Sequence, residues 1–185
     1  MRMVSNELGL VQVYWGNGKG KTTASLGLCV RALGRGLKVH LVQFMKGGIK
    51  GNSDFGEYGE LKALKKFRNF SHKRFGMKEW VIGKPGKEHI EQGKNALEYS
   101  KKIAASGKYN LVIVDEILYA VQLGVISEGD VLALIASKAK NTELVLTGSH
   151  RPFPAIFAKA DLVTEVRKVK HPFDNGIPAR KGMEF

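Results

Sequence analysis

Trp15-Gly16-Asn17-Gly18-Lys19-Gly20-Lys21-Thr22-Thr23 decides the fold. It follows an apolar run, Leu10-Val11-Gln12-Val13-Tyr14, and precedes a helical pattern from Ala24 to Leu33. Strand, glycine-rich loop and helix in that order form a phosphate-binding loop. Glycines let backbone N–H groups turn inward and approach phosphate oxygens. The helix adds its unpartnered N–H groups and its positive dipole end. Lys21 would reach phosphate oxygens, and the Thr22 hydroxyl would sit on Mg²⁺. The usual spacing is G-x-x-x-x-G-K-[ST]. Counting back from Gly20, the first glycine should be residue 15, which is Trp15; the glycine present is Gly16. The loop is one residue short, so a nucleotide need not sit in it in the usual way. The alternative is a glycine-rich turn with a solvated lysine, and the strand–loop–helix context argues against it.

Further along, the chain repeats the strand–helix alternation. Lys38 to Phe44 reads as a strand that runs into Met45-Lys46-Gly47-Gly48, and Lys46 is a candidate phosphate or substrate contact. Leu111-Val112-Ile113-Val114 is a buried strand that ends in Asp115-Glu116, a Walker B signature. A cation explains two acids at one sheet end, because without it they repel. Glu143–Thr147 and Leu162–Val166 read as strands, and Lys87–Ser106, Glu128–Lys140 and Phe153–Lys159 as helices. Glu57–Lys66 reads as a short helix and Phe67–Phe75 as an edge strand. The pattern implies an α/β fold, a mostly parallel sheet sandwiched by helices, in a single domain over residues 1–185. Ligands of such sheets collect at the carboxyl ends of the strands. Arg31 lies about two and a half turns beyond Thr22. It is assigned either to the nucleotide or to a surface or interface salt bridge.

The chain has 185 residues and a formal net charge of +13, which favours anionic partners such as nucleotides, nucleic acid or phosphorylated cofactors. Lys62 to Lys87 holds nine Lys or Arg and one acid, a net +8, with Phe67, Phe70, Phe75 and Trp80 interleaved. That mixture suits stacking of single-stranded nucleic acid, a lid over a large planar ligand, or a solvated face over buried aromatics. The one cysteine, Cys29, excludes an internal disulfide and reads as a small buried hydrophobe. The five histidines show no zinc-type pairing. No leader or membrane-span pattern is seen, so a cytoplasmic enzyme is expected. In the tail, residues 167–185, Val169, Phe173, Ile177 and Phe185 are available to pack near the site, and His171 and Asp174 are candidate ligand contacts.

Taken together, Gly16 to Thr23, Val42-Gln43-Phe44-Met45-Lys46-Gly47, Asp115-Glu116-Ile117-Leu118-Tyr119, Thr147-Gly148, Ala160 to Glu165 and Val169 to Phe185 resemble the P-loop type of ATP:cob(I)alamin adenosyltransferase. The resemblance runs from Leu10 to the end of the chain. It implies a RecA-like P-loop fold, a homodimer, and transfer of the 5′-deoxyadenosyl group of ATP to the cobalt of a reduced corrinoid, with triphosphate released. It implies ATP held in reverse in Gly16-Asn17-Gly18-Lys19-Gly20-Lys21-Thr22-Thr23. It also implies Mg²⁺ (or Mn²⁺) on Thr22, Asp115 and Glu116, and a reductase that supplies electrons. Lys21, Thr22 and Glu116 would stabilise the departing triphosphate. Two stretches depart from the family pattern. The closing loop has Met77-Lys78-Glu79-Trp80, keeping Trp80 but placing Lys78 where a phenylalanine is usual; Phe75 is a possible substitute. Thr147-Gly148-Ser149-His150-Arg151 replaces Thr-Gly-Arg, displacing the arginine by two. A basic P-loop ATPase on single-stranded nucleic acid and a small-molecule kinase remain as alternatives.

Overall fold

The computed structural model describes residues 7–47, 58–77 and 83–184. Six strands form one all-parallel sheet: β1 Val11–Trp15, β2 Val39–Gln43, β3 Phe70–Arg74, β4 Leu111–Asp115, β5 Glu143–Thr147 and β6 Leu162–Glu165. Their order across the sheet is β3-β2-β4-β5-β1-β6. The helices are α1 Lys21–Gly34, α2 Gly59–Leu64, α3 Lys87–Ala105, α4 Ile117–Gln122, α5 Glu128–Ser137 and α6 Pro154–Phe157. The P-loop strand β1 sits two places from β4, so the Walker B end and the loop open on the same sheet edge.

Each central strand is apolar on both sides because helices cover both sides. Leu41, Ile113 and Val145 face α1 and α2, meeting Leu26, Cys29, Leu33, Leu61 and Leu64. Val42, Val112, Val114, Leu144 and Leu146 face the other helices, meeting Ala96, Leu97, Leu118, Val131, Leu134 and Ile156. Cys29 is fully buried, and burial pushes its thiol up to about 12, so it packs as a hydrophobe.

The basic segment is not all lid. Residues 62–77 include the end of α2 and the paired edge strand β3. Phe70 packs towards the α1 side of the core and Phe75 against Tyr99 of α3, ring centroids 5.5 Å apart. Two of the four interleaved aromatics are therefore committed to packing. Both remain partly exposed. Lys78 and Trp80 lie outside the described residues.

The tail corrects another expectation. Val169 is 96% exposed, Phe173 72% and Ile177 45%, so they do not pack inward; Phe185 lies outside the described residues. Hydrogen bonds order the tail instead. Pro172–Asn175 forms a 3₁₀ turn capped by His171, whose Nδ1 accepts from the Phe173 N–H at 3.1 Å. The helix α5 ends three residues earlier than its pattern implies, because Lys138 is extended. The short α4 was not foreseen from the sequence. Its apolar run was absorbed in the Walker B stretch, although Leu118 and Val121 have helical spacing.

A buried polar cluster pins β3 to the sheet. The Ser71 hydroxyl donates to the Tyr109 hydroxyl at 3.3 Å. With that hydrogen used, His40 Nδ1–H donates to Ser71 at 2.7 Å, and the Tyr99 hydroxyl donates to Nε2 at 3.2 Å. Burial, then the charge of His72, lowers His40 to about 4 from an ordinary 6.5. As pH falls from 6.5 towards 4, the unfolded chain takes up a proton that the folded chain refuses, so stability is lost over that window. Urea unfolding should show His40 accounting for a loss of about 2 kcal/mol of stability between about pH 7 and 4.5. His40→Gln should flatten that part of the curve, and an unchanged slope in the variant would contradict the assignment.

Candidate active site

The chain leaves β1 at Trp15 and enters α1 at Lys21, with Gly16 at φ 116° and Gly20 at φ 123°. Both values are in the left-handed region that favours glycine. Not every loop N–H points at a ligand. Gly16 N–H donates to the Ser149 carbonyl at 3.0 Å, and Gly18 N–H to the Val166 carbonyl at 2.8 Å. The backbone of Val166 and Arg167 lies so close that a Cβ at Gly16 or Gly18 would collide with it. Asn17 Oδ1 accepts from the Lys168 N–H at 2.9 Å. Lys19 donates to Glu184 at 2.9 Å and to the Met183 carbonyl at 3.3 Å. Residues 16–19 are thus braced by the tail and by the turn after β5. The first turn of α1 leaves the N–H groups of Lys21, Thr22 and Thr23 without helical partners, pointing back along the helix axis towards the loop.

Lys21 arches back over the loop. Its Nζ donates to the carbonyls of Gly16 at 2.6 Å and Gly18 at 2.9 Å. Burial lowers its pKa, and the charges of Glu116 and Asp115 oppose that shift.

The two acids at the end of β4 have different jobs. Asp115 is fully buried, and three donors converge on its carboxylate. Oδ1 accepts from the Thr22 hydroxyl at 2.8 Å and the Thr147 hydroxyl at 2.7 Å; Oδ2 accepts from Gln43 Nε2 at 3.3 Å. Asp115 therefore orients Thr22. Glu116 has φ 63°, a strained value for a non-glycine residue, where the strand turns sharply into α4. Its N–H donates to the Thr147 hydroxyl at 3.0 Å. Gly148 makes the turn possible: a Cβ there would stand 2.7 Å from the Tyr119 nitrogen and 3.2 Å from Glu116 Oε2. Burial, then Asp115, raises the Glu116 pKa, while Lys46 and Lys21 pull it down.

Lys46 is brought to the same place. Its Nζ lies 5.4 Å from the centre of the Tyr58 ring. Burial pushes its pKa down, but Asp115, Glu116, Tyr58 and Glu60 together outweigh burial and hold it above the ordinary lysine value. Its backbone is locked to the loop after β3: Lys46 N–H donates to the Phe75 carbonyl at 2.9 Å, and Gly47 and Gly76 lie against the opposing backbones. At the turn after β5, His150 packs against Tyr119 with the rings tilted and their centroids 5.2 Å apart. Burial, then Lys21, lowers its pKa. Arg151 instead lies over Phe153, 5.2 Å from the ring centre. His150 is thus a side chain of this turn in the electric field of Lys21.

The structure does not bring every expected residue together. Arg31 is exposed in the last turn of α1, roughly 13 Å along the helix from Thr22. Thr23 is exposed on the first turn. Asp174 is paired with Lys168 at 2.9 Å, and His171 caps its own turn. Trp80 lies outside the described residues. Conversely, Thr147, Gln43 and Gln122 were not singled out for a role from sequence. Thr147 and Gln43 end the strands on either side of Asp115. Gln122 Oε1 accepts from the His150 N–H at 2.6 Å and holds the turn. Only strand order reveals such neighbours.

A parallel α/β sheet with a glycine-rich loop entering a helix at one strand end and an Asp-Glu pair at a nearby one is the architecture of the P-loop class. Residues 7–185 match the family described as ATP:corrinoid adenosyltransferase BtuR/CobO/CobP. The corrinoid adenosyltransferase of Pseudomonas aeruginosa is 33% identical over 181 residues, covering 97% of this chain and 85% of that protein. The corrinoid adenosyltransferase of Escherichia coli (strain K12) is 31% identical over 183 residues, covering 97% and 87%. The corrinoid adenosyltransferase CobA of Salmonella typhimurium is 31% identical over 189 residues, again covering 97% and 87%. This chain belongs to the ATP:corrinoid adenosyltransferase family. It is an enzyme of adenosyl transfer from ATP to a corrinoid, in cobalamin biosynthesis or salvage.

Proposed function

We propose that the loop from Gly16 to Thr23 holds the triphosphate of ATP in reverse, with C5′ turned towards a reduced corrinoid. What carries this reading is that Lys21 lies in the fields of Glu116 and Asp115, with Thr22 bonded to Asp115, beside a loop whose tail-side flank is closed by Val166 and Arg167. Attack at C5′ breaks the C5′–O bond, and the electron pair leaves with the whole triphosphate. The ammonium of Lys21 and the first-turn N–H groups of α1 would stabilise that charge. The cobalt nucleophile needs no side-chain base.

The donor set fits a hard divalent cation, Mg²⁺ or Mn²⁺. All its groups are oxygens: the Thr22 hydroxyl, oriented by Asp115, and the Glu116 carboxylate, with phosphate oxygens from ATP. When bound, such an ion would neutralise triphosphate charge. Among the described residues, no three His, Cys, Asp or Glu cluster to hold a metal by themselves. Lys46 is a further phosphate or substrate contact on this reading.

The proposal extends to a cytoplasmic homodimer supplied with reduced corrinoid by a reductase; Trp80, the expected corrinoid contact, lies outside the described residues. Among the described residues, no helix is long and apolar enough to cross a membrane.

The deciding experiment is product analysis. The protein, MgATP and chemically reduced cobalamin should yield adenosylated corrinoid and triphosphate in equal amounts. Steady release of ADP and phosphate without a change in the corrinoid spectrum would overturn the mechanism.

A further inference from the structure

We infer that Gln43 is a positioning residue for the divalent cation: its side-chain carbonyl takes a hydrogen bond from a water on the ion bound beside Thr22. The inference rests on the cation reading of Thr22 and Glu116 given above.

Gln43 ends β2, in register with Asp115 of β4, and is 1% exposed. The carboxylate of Asp115 can only accept, so the amide must present its NH₂ there, which it does at 3.3 Å. The opposite orientation would set amide oxygen against carboxylate oxygen. That choice leaves Gln43 Oε1 buried, and among the described residues it has no hydrogen-bond partner. A buried amide oxygen without a donor is costly, so it needs one from a ligand.

The surroundings indicate which donor. Thr22 gives its hydroxyl hydrogen to the same carboxylate, leaving its oxygen lone pairs for a cation. Asp115 already receives hydrogens from Thr22, Thr147 and Gln43. A small divalent cation keeps several waters, whose hydrogens need acceptors. Gln43 Oε1 is a neutral acceptor one carboxylate away from Thr22. Groups that orient metal ligands and bound water in this way typically change metal affinity by about 10- to 100-fold.

The test compares the parent protein with Gln43→Met, which keeps an unbranched chain of similar size without the amide. Gln43→Thr replaces it if melting shows that Met is not folded. Free Mn²⁺ is followed by electron paramagnetic resonance as protein and ATP are titrated. ATP binding is measured separately by calorimetry with the metal chelated. Affinity for Mn²⁺ in the presence of ATP should fall about tenfold or more in the variant, while metal-free ATP affinity stays within about twofold. Equal losses with and without metal would show that Gln43 only supports the strand end, and would overturn the inference. Unchanged Mn²⁺ affinity would overturn it too. If the parent protein binds ATP no more tightly with Mn²⁺ than without, the cation reading itself fails, and this inference falls with it.

Discussion

Lys21→Ala is expected to cut adenosyl transfer by roughly two to three orders of magnitude while leaving the protein folded. The Lys21 ammonium is held over the loop by the carbonyls of Gly16 and Gly18, at 2.6 and 2.9 Å, where it can meet a triphosphate. Its charge matters most as the C5′–O bond breaks, because negative charge then grows on the leaving oxygen. Alanine removes that stabilisation from the transition state and little from the fold. The two loop carbonyls lose a donor, which costs about 1 kcal/mol each and a few degrees of melting temperature. Single-turnover rates with pre-reduced corrinoid and saturating MgATP, beside a melting curve, measure both effects. Turnover within about threefold of the parent would remove Lys21 from this role. Lys21→Arg should not restore the rate, because a planar guanidinium on a longer arm does not fit between the same two carbonyls.

The second large effect is expected at Gly16. Its φ of 116° is strained for any side chain, and a Cβ there would collide with the Val166 carbonyl. The neighbouring atoms are backbone, so no side chain can rotate away. Gly16→Ala must therefore push the loop and the tail apart, at a cost of about 3 kcal/mol. ATP affinity measured by calorimetry should drop by at least about 100-fold, which corresponds to the same energy. The tail should become more sensitive to protease than in the parent. Parental affinity with an unchanged digestion pattern would mean that the bracing of the loop by Val166 has no functional weight.

These residues show where the sequence could and could not be read. The run Leu111 to Val114 is apolar at every position, and only a strand covered on both faces needs that. Gly20-Lys21-Thr22-Thr23 after an apolar strand carries its own chemistry at fixed spacing. Both were visible without neighbours. Phe75 was harder. An aromatic in a basic stretch looks the same whether it meets a ligand or Tyr99, and only the packing of β3 against α3 separates the two. The tail apolar residues misled for a related reason. Hydrophobicity says that Val169 and Phe173 would gain by burial, but not whether this chain has a surface left to bury them. Arg31 was within a few turns of the loop in sequence, yet a helix carries residues away from its own N-terminus.

The short P-loop shows the division between the two kinds of information. By itself, the sequence determined the parallel α/β class, a glycine-rich loop between the first strand and the first helix, and the acids Asp115 and Glu116 at a strand end, because strand period, glycine spacing and helix entry are local rules. Only the tertiary structure decided how the parts share work. It gave Asp115 to Thr22, Thr147 and Gln43, turned Glu116 sharply out of the strand at a φ of 63°, and spent the N–H groups of Gly16 and Gly18 on Ser149 and Val166. Those partners lie up to 148 positions away in the chain, as for Gly18 and Val166, and come together only through the strand order β5-β1-β6. Hydrogen bonds between strand ends depend on which strands are neighbours, and local sequence does not encode that.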